Sequence, residues 1–128
     1  MSKTSVNARL AMIQAFASFM DNGSQSATVI FYEGVQPADT SVAADSNNAL
    51  VTLAFPEPCI KETTATYVEL HPTNTGSVIK SGTATWARIY NGAGEVAADL
   101  TVGTDISLAN TNLVVGGTLS VTSIKLRP

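Results

Sequence analysis

One cysteine and one histidine, Cys59 and His71, are the whole stock of thiol and imidazole in this chain. A zinc site needs several such ligands gathered together, so this pair cannot build one alone. A serine hydrolase would have to use His71 as its base, and no Gly-x-Ser-x-Gly turn is present to offer the nucleophile. Cys59 stands between Pro58 and Ile60. That apolar setting reads as a buried structural thiol, and a lone cysteine forms no intrachain disulfide. Paired carboxylates could hydrolyse glycosides. The candidates are Glu33, Asp39, Asp45, Glu57, Glu62, Glu69, Glu95, Asp99 and Asp105. They are scattered and fall mostly in loops or turns, where solvation accounts for them. Asp39, Asp45, Asn47 and Asn48 come nearest to a calcium loop but lack its spacing and closing glutamate. Gly92-x-Gly94 and Gly116-Gly117 precede strands rather than the helix a phosphate-cradling loop needs. No catalytic, cofactor-binding or metal residue is expected, and the chain does not read as an enzyme.

The remaining chemical feature is aromatic. Trp86 and Tyr90 share a strand face with Arg88 between them. Such a face can stack on a sugar ring, or it can anchor a core or an interface. Arg88 can stack on a neighbouring ring or pair with a carboxylate such as Glu95 across the hairpin.

These residues lie in a stretch, 83–102, that reads as two strands around a turn at residues 91–94. Ala84, Trp86, Arg88 and Tyr90 alternate with Thr83, Thr85, Ala87 and Ile89. Asn91 and Gly92 tolerate the positive φ of tight turns, and Gly94 points to a longer loop or a bulge. Asp99 is the residue that fits the second strand least well.

Composition sets the frame. The chain has 128 residues, 45% hydrophobic and 13% charged, with a formal net charge of −3. That length supports one domain, residues 1–128, with its own core. The charged fraction is about half the ~25% typical of soluble domains. Thr, Ser, Asn and Ala fill the surface, which suits a subunit covered by neighbours as well as a small-polar β domain. No run of Lys or Arg occurs, which argues against nucleic-acid binding. No apolar run approaches the roughly 20 residues needed to cross a membrane. Residues 10–20, after Lys3 and Arg9, loosely resemble a signal peptide, but Gln14 interrupts them and no clean cleavage site follows. The expectation is a retained helix.

That helix is expected over residues 5–21. Val6, Leu10, Ile13, Phe16, Ala17 and Met20 follow its spacing, with Thr4 or Ser5 as cap and Asn22-Gly23 as stop. The rest, residues 27–128, reads as β. Strands are expected at 27–32, 49–55, 66–70, 78–79, 106–108, 113–115 and 119–126, besides the hairpin. A long polar loop spans 35–48. Short strands punctuated by Gly, Asn and Pro predict an antiparallel β-sandwich or jelly-roll-like fold with one N-terminal amphipathic helix.

Several segments in this order resemble a group of small virion proteins of tailed bacteriophages. They are the helix beginning near Asn7-Ala8, then Phe31-Tyr32-Glu33-Gly34 followed by Pro37-Ala38. Next come the strand 49–55 closed by Pro56 and the stretch 82–89 with its Gly92-x-Gly94 turn. Residues 113–117 and 121–128 complete the match, which covers most of the chain. The resemblance implies a virion building block. Capsid decoration (cement) proteins of this size are often trimers, and others serve in the neck or tail. It therefore implies the major capsid protein or other virion subunits as partners, a homo-oligomer, a place on the capsid surface after synthesis in the host cytoplasm, and no ligand residues. A carbohydrate-binding β-sandwich resting on Trp86 and Tyr90 is the alternative from another class.

Overall fold

The computed structural model describes residues 6–56, 60–63, 67–106, 108, 110–121 and 124–126. The chain is mainly β, built from antiparallel ladders, with one N-terminal helix. Helix α1 spans Val6–Met20. The strands are β1 Thr28–Tyr32, β2 Ala49–Ala54, β3 Ile60–Thr63, β4 Val68–Leu70, β5 Gly76–Ser77, β6 Gly82–Thr83, β7 Trp86–Tyr90, β8 Val96–Thr101, β9 Asn112–Leu113, β10 Thr118–Leu119 and β11 Ile124–Leu126.

The central sheet has the order β2-β1-β7-β8. Period-two alternation gives it two faces. Val29, Phe31, Val51, Leu53, Ala87, Ile89 and Leu100 lie on one face and are buried in the main apolar cluster. Leu70, Val78, Leu113, Val121 and Ile124, from the smaller ladders, join the same cluster. Fully burying a side chain such as Phe31 or Leu53 stabilises the fold by about 1.5–3 kcal/mol. Met20 at the end of α1 is fully buried in this cluster, and Phe16 packs against it. The helix lies against β3, so its C-terminal part docks on its own chain.

The smaller ladders are β10-β5, β11-β4-β3 and β6-β9. They correct several expectations. β3 lies outside the expected strands, because Lys61 and Glu62 break any apolar run. Lys61 and Glu62 are exposed, and pairing with β4 is what makes the segment a strand. Residues 83–102 are not one hairpin: Gly82 and Thr83 pair with Leu113 and Asn112, and β7 begins only at Trp86. The short strand expected at 78–79 falls two residues earlier, at Gly76–Ser77. Ile106 makes a single bridge to Val102 instead of a strand. The strand expected at 113–115 begins one residue earlier, with Asn112 opening β9, whereas Val114 and Val115 leave the ladder and are exposed. The expected strand 119–126 is described as two pieces, β10 and β11. The helix cap expected at Thr4 or Ser5, and Pro58 and Cys59, lie outside the described residues.

The hairpin turn is held by Asn91, which is buried. Its Oδ1 accepts from the backbone N–H of Ala93 (3.0 Å) and Glu95 (2.9 Å), and its Nδ2 donates to Glu95 Oε1 (3.2 Å). The positive φ lies at Gly94 (+83°), not at Asn91 or Gly92. Gly92 serves a different purpose. The Gln25 N–H donates to its carbonyl (3.2 Å), so the turn sits directly on the segment that follows α1.

Candidate functional site: the aromatic and arginine face

The second face of the central sheet carries Trp86, Arg88 and Tyr90 from β7, with Tyr32 from β1 and Asp99 and Thr101 from β8. Adjacent strands place Tyr32 beside Trp86, and their rings stack with centroids 4.5 Å apart at 17°. The Arg88 guanidinium carbon lies 5.4 Å from the Trp86 ring centre, a cation–π distance. The Tyr32 and Tyr90 hydroxyls are 3.2 Å apart.

Arg88 pairs with Asp99, not with Glu95. Its Nε donates to Oδ1 at 2.6 Å and its Nη2 to Oδ2 at 3.0 Å. This is the two-pronged geometry that makes arginine–carboxylate pairs strong. The side chains are 1% and 7% exposed. Nη1 donates to the Val42 carbonyl at 2.7 Å, which ties the 35–48 loop over the face. Asp99's hydrogen bond holds Arg88 further toward the protonated form than usual, against the opposing effect of burial.

The turn explains why Asp99 and not its neighbour meets Arg88. Tyr90 is opposite Val96. An unbroken register from there would set Arg88 opposite Ala98. The register shifts between Ile89 and Tyr90, which brings Asp99 into line. The bulge that Gly94 signalled is therefore what completes the ion pair. Asp99 fitted the strand pattern poorly because its charge is turned inward.

The loop is fastened at further points. Thr85 Oγ1 donates to the Gly34 carbonyl (2.6 Å), Thr101 Oγ1 donates to Gln36 Oε1 (2.8 Å), and the Glu33 N–H donates to the Asn48 carbonyl (3.0 Å). Asp45 accepts from the Asn47 N–H and starts a 3₁₀ turn at Ser46–Asn48. Asp39 accepts from the Ser41 N–H at 2.8 Å and from its hydroxyl, and the hydroxyl bond lowers its pKa.

The other carboxylates are likewise spent locally. Glu33 pairs with Lys80 (2.8 Å) and Glu69 with Lys61 (3.9 Å). Such partly exposed pairs contribute about 0–1 kcal/mol each. Glu62 accepts from the Tyr67 hydroxyl (3.4 Å), and Asp105 accepts from the Thr101 N–H (2.9 Å). Glu57 lies outside the described residues. Among the described residues no group of three His, Cys, Asp or Glu is gathered as a metal would need. No described helix is long and apolar enough to cross a membrane.

Trp86 is 3% exposed, so it offers no open ring face to a sugar. Its indole N–H is buried without an acceptor among the described residues. Leaving a donor unpaired costs about 1–3 kcal/mol, which stacking on Tyr32 and the area buried must outweigh. The face is a closed cluster: Tyr32 stacks on Trp86, Asp99 pairs with Arg88, and Arg88 Nη1 fixes the loop to the sheet at Val42.

Burial pushes the Tyr32 phenol well above its ordinary value, and the Tyr90 hydroxyl adds to the effect. The unfolded chain then loses this proton above about pH 10 while the folded chain keeps it, so stability falls as pH rises past that point. Denaturant midpoints measured between neutral pH and pH 11 are expected to drop, and to drop less in Tyr32→Phe. An equal drop in both would assign the alkaline loss to other groups.

Comparison of the chain with protein-family models, with curated proteins and with solved structures gives no match.

Proposed function

We propose that this chain is a structural subunit of a tailed-phage particle, most concretely a capsid decoration protein that bridges capsid subunits, with a neck or tail component as the alternative location. The observation that carries the proposal is the outer edge of the central sheet along β8, which pairs with no further strand among the described residues. The β2 edge is covered, since the Ile79 N–H donates to the Leu50 carbonyl (2.8 Å) and the Asn74 N–H to that of Ala54 (2.9 Å). The opposite edge is β8, Val96–Thr101. It carries neither lysine nor proline, the residues that commonly guard such edges. Its one charge, Asp99, is turned inward and neutralised by Arg88. An edge of this kind accepts a strand from another subunit.

Exposed aliphatic side chains support the same reading. Val35, Ile79, Val114 and Val115 are each more than half exposed. Residues 78–81 run beside 114–117, with the Gly116 N–H donating to the Val78 carbonyl and the Val115 N–H to Ser81 Oγ. Ile79, Val114 and Val115 thus lie on adjoining segments. The low charge of the surface lets such patches be covered at little desolvation cost. The resemblance to phage virion proteins in residue order names the kind of assembly, and a jelly-roll-like sandwich is the finer fold it favours. The mechanism is passive: each added subunit buries area across joints, so disassembly must break more contacts at once.

Purified protein is expected to form a stable homo-oligomer, with a trimer favoured, and to add to undecorated heads in fixed stoichiometry on sedimentation. A protein that stays monomeric and sediments with neither heads nor tails contradicts the proposal.

A further inference from the structure

The chain contains two Asn-Gly pairs, Asn22-Gly23 and Asn91-Gly92. Asparagine before glycine is the sequence most open to intramolecular attack on its own amide, because glycine adds no side chain to hinder the backbone nitrogen. The fold sets these two pairs against each other. A Cβ added at Gly23 would lie 2.3 Å from Ala93 N and 2.4 Å from Gly92 C. One added at Gly92 would lie 2.0 Å from the Gln25 carbonyl oxygen and 2.7 Å from that of Asn22.

Their environments differ sharply. Asn91 is 2% exposed, and both atoms of its amide are held: Oδ1 by two backbone N–H groups, Nδ2 by Glu95. Its amide carbon cannot swing toward Gly92 N without breaking all three bonds. Asn22 is exposed, as is Gly23. Its side chain makes no hydrogen bond among the described residues. The backbone there is held by the Asn22 N–H donating to the Phe19 carbonyl at 3.2 Å, a bond that does not engage the side-chain amide.

We infer that Asn22 is a site of spontaneous deamidation in the folded protein, whereas Asn91 is protected by the turn it builds. The Gly23 nitrogen attacks Asn22 Cγ. A new N–C bond forms, the Cγ–Nδ2 bond breaks, and ammonia leaves carrying the proton lost from the Gly23 amide. The five-membered succinimide is then opened by solvent water at either carbonyl, giving aspartate or isoaspartate. No oxidant or reductant takes part.

The product has a structural consequence. A carboxylate at position 22 adds negative charge at the C-terminal end of α1, next to Asp21 and with no basic residue in the last turn. That end of a helix disfavours anions. Isoaspartate also lengthens the main chain by one carbon where Gly23 is in close contact with Gly92 and Ala93. Both changes loosen the contact between the helix end and the hairpin turn.

The test is incubation of the whole folded protein at mildly alkaline pH, followed by tryptic digestion and localisation of the acid product by fragmentation. Residues 10–61 carry Asn22 and residues 89–125 carry Asn91, so the two are read in separate peptides. Conversion at Asn22 is expected to exceed that at Asn91 by at least about tenfold in the folded protein, and the two rates to converge in denaturant. Enzymatic methylation specific for isoaspartate should label the first peptide. Folded-state conversion at Asn22 no faster than at Asn91, or no faster than at the exposed Asn47 and Asn74, overturns the inference.

Discussion

Asp99→Ala is expected to destabilise the protein by about 3–5 kcal/mol, because it leaves the Arg88 guanidinium buried without its counter-charge. For a domain of this size that is a large share of the about 5–15 kcal/mol that separates folded from unfolded states. The damage should spread along the contacts Arg88 makes. Nη1 would still face the Val42 carbonyl, but the two-pronged grip that fixes the guanidinium plane would be gone. The 35–48 loop should then exchange its amides faster, and the single tryptophan, lying under Arg88, should report the change in its emission. Chemical unfolding of Asp99→Ala beside Asp99→Asn measures the effect. Replacing both partners with apolar residues, Arg88→Met with Asp99→Leu, should restore much of the stability, since the larger penalty belongs to the stranded charge and not to the absent pair. A loss below about 1 kcal/mol in Asp99→Ala, the value of an exposed pair, would mean the pair is hydrated and the face open.

The second large effect is expected at Gly92. Its Cβ position lies 2.0 Å from the Gln25 carbonyl oxygen and 2.7 Å from that of Asn22, and both are backbone atoms. Neither can turn away as a flexible side chain could. Gly92→Ala must therefore separate the hairpin turn from the segment after α1 and break the Gln25 N–H bond to its carbonyl. Overpacking of this kind costs about 1–3 kcal/mol, at times more. Gly94→Ala supplies the comparison. Nothing lies within 4 Å of its Cβ position, so only its φ of +83° is at stake. That conformation costs an L-residue about 1–2 kcal/mol and disturbs no neighbour. Thermal melts should rank Gly92→Ala below Gly94→Ala, with loss of helix signal at 222 nm preceding the main transition only in Gly92→Ala.

These two effects mark how far sequence reasoning reaches. The helix, β1, β2 and the β7–β8 hairpin were legible because their apolar periodicity runs for five or more residues. β3, β5, β6, β9 and β10 are not, or are misplaced, because strands of two to four residues are too short to carry a period. Their pairing is decided by partners distant in sequence, as when Gly82 meets Leu113. Arg88 stacks on Trp86 as its flanking aromatics suggest, but its carboxylate partner is Asp99 rather than Glu95, for a related reason. Glu95 is nearer in sequence and sits at the turn, yet it is used to accept from Asn91 Nδ2. Only a one-residue register shift, invisible to alternation, turns Asp99 toward Arg88. By sequence Gly92 is a turn former, whereas in the fold its requirement is close approach to another backbone.

The aromatic face has a different meaning in the fold than in the sequence. In sequence it had the composition of a binding platform. In the fold its elements are consumed by each other: Trp86 by Tyr32, Arg88 by Asp99 and Val42, Tyr90 by Tyr32. Under the proposed function, the surfaces that would meet partners are the β8 edge and the exposed valines and isoleucine.

Quenching of the Trp86 fluorescence by acrylamide tests this most directly, since the chain contains one tryptophan. A closed cluster predicts blue-shifted emission, slow quenching in the native protein, no change on adding mono- or oligosaccharides, and full quenching only after unfolding. Native emission that is quenched as readily as the unfolded chain's, and is protected by a bound glycan, would contradict it.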